Sequence, residues 1–374
     1  MGSEMCIRDR IDAGFVILGK VNMTEFAYSG LGVNPHYGAP ANPYSGQQQR
    51  IPGGSSSGGG VSVATGLVAA SIGTDTGGSV RIPAALCNLT GYKPASAGVP
   101  KSGVIPLSET LDSVGPLANS VACCRVLDQV MSGRYQSARR VAGSSTGIDE
   151  PELRDPQSIR LMIPTSTGGV PSLLWTHVGP GIEKRSQSAI SRLKHAGVQI
   201  ERVATSLFDT VLESGVQGVI AGFESSRWYK SLMEQGAELY DPRVLVRLQA
   251  GLQVSESDYQ AALELRGVFI EQFCQLLAEF DAVVWPTTAI VAPTFVELEP
   301  DEGYSNNNQL ILRNTSVGNT LDAAAISLPL PLTDAESTDN VCAEDTLPAG
   351  LMLLQSGESG EKLFSVAELS LIHI

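Results

Sequence analysis

Apolar positions along this chain gather into short continuous runs, separated by stretches with helical spacing. The runs "GFVILGK" (14–20), "VAASIGTD" (68–75), "IRLMIP" (159–164), "DAVVWPTTAI" (281–290), "AAAISLPLPL" (323–332) and "AGLMLLQ" (349–355) are bounded by Gly, Pro or polar residues. Each reads as a buried strand, and "LTGYKPA" (89–95) returns to the same sheet. Between Gly59 and Leu67, small residues alternate with Val and Ala, which suits a helix lying close on a sheet. "VRIPAALCN" (80–88) reads as a short turn of helix. "SVACCRVLDQVMSG" (120–133) has helical period and a glycine stop, and residues 255–280 form a long amphipathic helix opened by Ser255. Most of the chain from 165 to 254 also reads as helical. Prolines at 35, 40, 43 and 52 exclude regular structure there, and residues 134–157 read as a polar surface insertion. Buried strands separated by helices predict an α/β layered fold around a largely parallel or mixed sheet.

Composition narrows the function. The 374 residues are 43% hydrophobic and 17% charged, with a formal net charge of −14. That charge argues against binding nucleic-acid phosphates or anionic lipid, so neither nucleic acid nor membrane is an expected partner. No apolar run reaches the roughly 18 residues of a membrane span, and "MGSEMCIRDR" has no signal-peptide h-region. The six cysteines lack C-x-x-C spacing, which reads as reduced thiols in a cytoplasmic protein. The four histidines show no metal spacing, and no metal or cofactor is implied. Residues 1–10 and 369–374 look foreign to the body and resemble adapter read-through. The expectation is that the natural protein continues beyond both.

The chemistry concentrates in "RIPGGSSSGGGVSVATG" (50–66). A flexible linker would have polar flanks, whereas an apolar helix and a strand follow this run. A phosphate-binding P-loop would end in Gly-Lys-Ser/Thr, and no lysine is present. Gly54, Ser56 and Gly58 satisfy the G-x-S-x-G nucleophile elbow only trivially, no strand precedes them, and His177 and His195 are poor triad partners. A second motif, "GTDTGGSVRIPAALCNLTGYKP" (73–94), carries a strand into Thr-Gly-Gly-Ser and then a helix. The amides of Thr76, Gly77, Gly78 and Ser79 can converge there as an oxyanion hole, with Ser79 as nucleophile and Asp75 and Arg81 bracing the turn.

These paired motifs, together with "ILGKVNMTEFAYSG", "TLDSVGPLANS" and "WPTTAIVAPTF", resemble the amidase signature family over about residues 11–366. The resemblance implies a single domain with a three-layer α/β/α fold and a central mixed sheet. It would comprise a signature core (about 13–133), a helical substrate-side insertion (about 165–280) and a sheet-completing part (about 281–366). It implies hydrolysis of a linear carboxamide by a Ser–cis-Ser–Lys triad. Carried over, Ser79 is the acylated nucleophile and Ser55 the bridging serine after a cis Gly54–Ser55 peptide. Thr76 to Ser79 form the hole, and Ala27 lines the acyl pocket. The family's lysine stands in a Lys-Asp pair well upstream. None of the seven lysines here (20, 93, 101, 184, 194, 230, 362) precedes Asp, so the base is expected to be absent and the chain impaired. Alternatives are the glutamine-hydrolysing component of a tRNA-dependent amidotransferase, which typically has Gln where Ile82 stands, and allophanate hydrolase, which usually has Ala at Gly77. A further one is a non-catalytic ligand-binding relative. The expected partner is a small amide, and a homodimer is the candidate assembly.

Overall fold

The apolar runs pair into one eight-stranded sheet in a computed structural model that describes residues 11–134, 154–168, 170–332, 346–357 and 360–374. The strands are β1 (Ala70–Asp75), β2 (Thr90–Lys93), β3 (Ser113–Ala118), β4 (Arg160–Thr165), β5 (Gln199–Ala204), β6 (Ala282–Pro286), β7 (Ala324–Pro329) and β8 (Gly350–Gln355). Their order is β1-β3-β2-β7-β8-β6-β4-β5. β4 runs parallel to β5 and β6, while the other pairings are antiparallel, so the sheet is mixed as expected.

The central strands are apolar on both faces because helices cover both. On β2, a Cβ at Gly91 would lie 2.5 Å from Ala84 of α2 (Arg81–Leu86). The next residue, Tyr92, points the opposite way and packs at a tilt on Phe364 of α10 (Glu361–His373), with centroids 4.3 Å apart. That alternation makes three layers. Helix α1 (Ser57–Ala64) and helix α9 (Asp301–Thr320) join α2 on its face, while α3 (Val121–Met131) and α4 (Pro180–His195) lie with α10. Helices α5 (Leu207–Ser214), α6 (Val216–Gly236), α7 (Pro242–Gly251) and α8 (Glu256–Leu276) form a block beside α9. Ser120 and Ser255 cap α3 and α8 by accepting from the Cys123 and Asp258 amides.

The glycine run is helix and close packing rather than linker. Glycine costs a helix interior roughly 1 kcal/mol relative to Ala. In α1 that cost is offset by contact: a Cβ at Gly58 would sit 2.5 Å from Asn22 N, and one at Gly59 2.9 Å from Ser71 Oγ.

Three expectations need correction. The run 14–20 is no strand; it pairs with no other strand, and Val16 is 81% and Leu18 70% exposed. β1 is an edge strand and only half-buried. β3 and β5 were not anticipated, since β3 carries Gly and Pro, and β5 is largely polar on the sheet's other edge. Most of the 134–157 insertion and residues 1–10 lie outside the described residues. Among the described residues, no helix is long and apolar enough to cross a membrane.

Candidate active site

Two loops meet at the carboxyl end of β1. The first, ahead of α1, contains a cis Gly54–Ser55 peptide, the geometry expected for it. Gly54 N donates to Gly30 O (2.8 Å), Thr24 N to Ser55 O (3.0 Å) and Ser56 N to Ser79 O (3.2 Å). The last of these bonds holds the two serine motifs side by side. Ser55 and Ser79 are both buried, at 0% and 2% exposure. Ser56 points elsewhere, its Oγ 2.2 Å from where a Cβ on Gly73 would stand, against the backbone of β1.

No hydrogen bond joins the two hydroxyls, because Ser55 Oγ has no partner among the described residues. Two further buried oxygens nearby are also unpartnered, Thr24 Oγ1 and Asn22 Oδ1. Thr24 Oγ1 lies 3.0 Å from the Cβ position of Gly54, and Asn22 O accepts the Gly58 amide at 2.9 Å. Unpaired buried polar atoms are uncommon in folded proteins, so the Ser55 and Thr24 hydroxyls, on residues joined by the Thr24 N–Ser55 O bond, have capacity for a further partner.

The second loop, 76–80, is wrapped around Asp75. One carboxylate oxygen accepts from Gly78 N (2.8 Å), Arg81 Nη2 (2.8 Å) and Asn319 Nδ2 (3.0 Å). The other accepts from Val80 N (3.1 Å), Arg81 N (3.4 Å) and Arg81 Nε (3.0 Å). Burial alone would raise the carboxyl's pKa, but the Arg81 guanidinium overrides it and holds the group well below the ordinary carboxylate range. Both side chains of the pair are fully buried, so this is an internal brace and not a surface ion pair.

The brace changes the expected donor set. The Gly78 N–H is committed to Asp75, so it is not a free oxyanion donor. The Thr76, Gly77 and Ser79 amides bond to no described residue, which leaves them as the donors able to face a ligand. The loop's carbonyls and side chains are tied outward. Thr315 Oγ1 donates to Gly77 O (2.6 Å), Gln217 Nε2 to Thr76 O (3.1 Å) and Thr76 Oγ1 to Asp112 Oδ1 (2.5 Å). Burial pushes the Asp112 carboxyl up to about 6, against the lowering effect of the hydroxyl and amides that bond to it. Gly78 has φ +136°, and a Cβ there would lie 2.2 Å from Thr315 Oγ1. Only glycine fits.

Ala27 stands at φ 60° in a short 3-10 turn whose amide returns to Thr24 O (3.0 Å), one residue contact from Ser55. Of the lysines, Lys20 is exposed and Lys93 is buried. Lys93 Nζ donates to Pro94 O (2.7 Å) and to neither serine. Burial, with Arg81 adding to it, pushes its pKa down to about 7, against the opposing charges of Asp75 and Asp322. His177 and His195 are exposed, and the ring of His195 faces Ser191 O at 2.7 Å. No His/Cys/Asp/Glu group able to hold a metal occurs among the described residues.

Gln217, Thr315 and Asn319 were not anticipated, because they reach the loop from helices more than a hundred residues downstream and belong to no local motif. Asp112 lies within "TLDSVG", where a buried acid before a strand was a signal that could have been used.

A family model described as Amidase matches residues 7–359. The chain is 29% identical over 357 residues to 2-amino-5-chloromuconic acid deaminase of Comamonas testosteroni, covering 94% of this chain and 71% of the relative. It is 26% identical over 378 residues to the A-type component of the glutamyl-tRNA(Gln) amidotransferase of Thermotoga maritima, covering 95% and 74% respectively. Among solved structures, it superposes on an amidase with TM-score 0.79 at 25% identity, covering 97% of this chain and 76% of that one.

Proposed function

Because the chain belongs to the amidase signature family, we propose that it is an amidohydrolase that cleaves a linear carboxamide through an acyl-enzyme on Ser79. The observation that carries this is the braced loop. A buried serine stands among three unengaged amides, its own and those of Thr76 and Gly77, and the rest of its turn is held by Asp75, Arg81 and Thr315.

In this reading, Ser79 Oγ attacks the carbonyl carbon while its proton passes to Ser55. The Thr76, Gly77 and Ser79 amides are the donors left to stabilise the tetrahedral oxyanion, each such donor being worth roughly 2.7–4 kcal/mol in the transition state. Collapse expels the amine, which carries a proton away, and water then hydrolyses the acyl ester. Ser55 must pass its proton to a base. The unpartnered hydroxyls of Thr24 and Ser55 are complementary to a neutral amine, which donates an N–H to Thr24 Oγ1 and takes the Ser55 proton on its lone pair. None of this chain's lysines bonds to Ser55, so slow amide turnover is expected, rising with added small primary amine by up to the roughly 10²–10⁴-fold typical of general-base help.

The test is release of carboxylate from primary amides, with and without ethylamine, by the parent chain and by Ser79→Ala. Amine-stimulated release that vanishes in Ser79→Ala supports the proposal. Release that survives the substitution contradicts it. The amidotransferase reading is favoured by the similarity to the Thermotoga maritima protein and opposed by Ile82. Ammonia release confined to glutamine would support it instead.

A further inference from the structure

Gln217 is absent from every motif that marks this site, yet its side chain lies on the oxyanion loop. Its Nε2 sits 3.1 Å from Thr76 O. A carbonyl oxygen only accepts, so the NH2 end of the carboxamide must face it, and that turns Oε1 outward. No described residue donates to Oε1, and the side chain is half-buried rather than enclosed. The same Nε2 lies 2.7 Å from where a Cβ on Gly77 would stand, with Leu312 Cδ2 3.4 Å from that point on the other side. The side of Gly77 where a Cβ would stand is therefore already covered by the NH2 end of the Gln217 carboxamide and by Leu312.

Gln217 thus carries an acceptor without a partner on a side chain anchored to the same loop as the unengaged Thr76, Gly77 and Ser79 amides. A carboxamide substrate presents the complement, a carbonyl oxygen that accepts next to an N–H that donates. An ester of the same shape has the first and lacks the second. We propose that Gln217 is a specificity-determining residue, whose Oε1 receives the substrate N–H and so selects carboxamides bearing an N–H over matched esters. The proposal rests on the Ser79 reading above. Nε2 is held by Thr76 O, so the acceptor is fixed in place before the substrate arrives, and little freedom is lost when it is used.

The experiment measures protection of Ser79 from a fluorophosphonate probe by butyramide and by methyl butyrate, in the parent chain, Gln217→Met and Gln217→Glu. Met fills the same volume and can neither anchor on Thr76 nor accept well. Glu also loses the anchor but keeps an acceptor. A neutral hydrogen bond corresponds to a roughly 3- to 10-fold change in affinity. In Gln217→Met, the half-protecting concentration of butyramide should rise by about that factor, while that of methyl butyrate stays within about twofold. Gln217→Glu, which keeps an acceptor without the anchor, should lose less of the amide preference than Gln217→Met. Equal weakening of both ligands, an equal loss of preference in Met and Glu, or no amide protection in the parent chain would overturn the proposal. Failure of the probe to label Ser79 at all would instead remove the reading on which it rests.

Discussion

Asp75→Asn removes a negative charge from a site that water does not reach, and the structure allows the cost to be worked through. Arg81 is 0% exposed, and Asp75 is the acid paired with it, at 2.8 Å. Arg81 keeps neutral acceptors at Thr315 O (2.8 Å) and Asn319 Oδ1 (2.7 Å), but its charge would go uncompensated. An asparagine also offers one oxygen where two served, so one trio of donors would face an NH2 group. Breaking one side of a buried ion pair typically costs about 3–5 kcal/mol, a large part of a total that is usually about 5–15 kcal/mol. Urea denaturation of the parent and variant should show a loss in that range. The pH profile adds a second check. A carboxyl held below its unfolded value of about 3.9 contributes stability above that pH and loses it as pH falls further. The variant should therefore lose less of its remaining stability between about pH 4 and 2. Adding Arg81→Met should recover part of the loss, since an apolar replacement of a whole buried pair is often near neutral. A loss below about 1 kcal/mol for Asp75→Asn would refute the brace.

Lys93 gives an effect of the same pH sense in a higher window. Its pKa is near 7 in the fold and about 10.4 unfolded, so across that window the unfolded chain binds a proton that the folded one does not. Stability of the parent should rise from pH 7 toward 10, and Lys93→Met should remove that rise; identical profiles would count against it. Gly78→Ala meets both a φ of +136° and a 2.2 Å clash with Thr315 Oγ1, so probe labelling of Ser79 should slow at least about tenfold, strained backbone alone costing roughly 1–3 kcal/mol. Labelling at the parent rate would show that this loop can shift without consequence.

Local pattern was enough to find the strands that are apolar throughout, the capped helices and the serine loops, because those signals lie within a dozen residues. β6 and β8 announce themselves as unbroken apolar runs, and Ser255 marks the start of α8. The misses share a cause. Residues 14–20 have a strand's composition, but a strand also needs a neighbour, and no local signal reports one. β5 is recognisable only through its pairing with β4. At the site, the Asp75–Arg81 brace was legible because both residues stand in one turn. The commitment of the Gly78 amide to that brace depends on how the loop closes. Gln217 and Thr315 come from α6 and α9, and only the folded chain brings them onto Thr76 and Gly77.

Mapping the covalent adduct of a fluorophosphonate probe by peptide mass spectrometry tests the central claim most directly. One labelled peptide is expected, carrying the adduct on Ser79, with labelling abolished in Ser79→Ala and retained in Ser56→Ala. An adduct on Ser56, or labelling undiminished in Ser79→Ala, would contradict it.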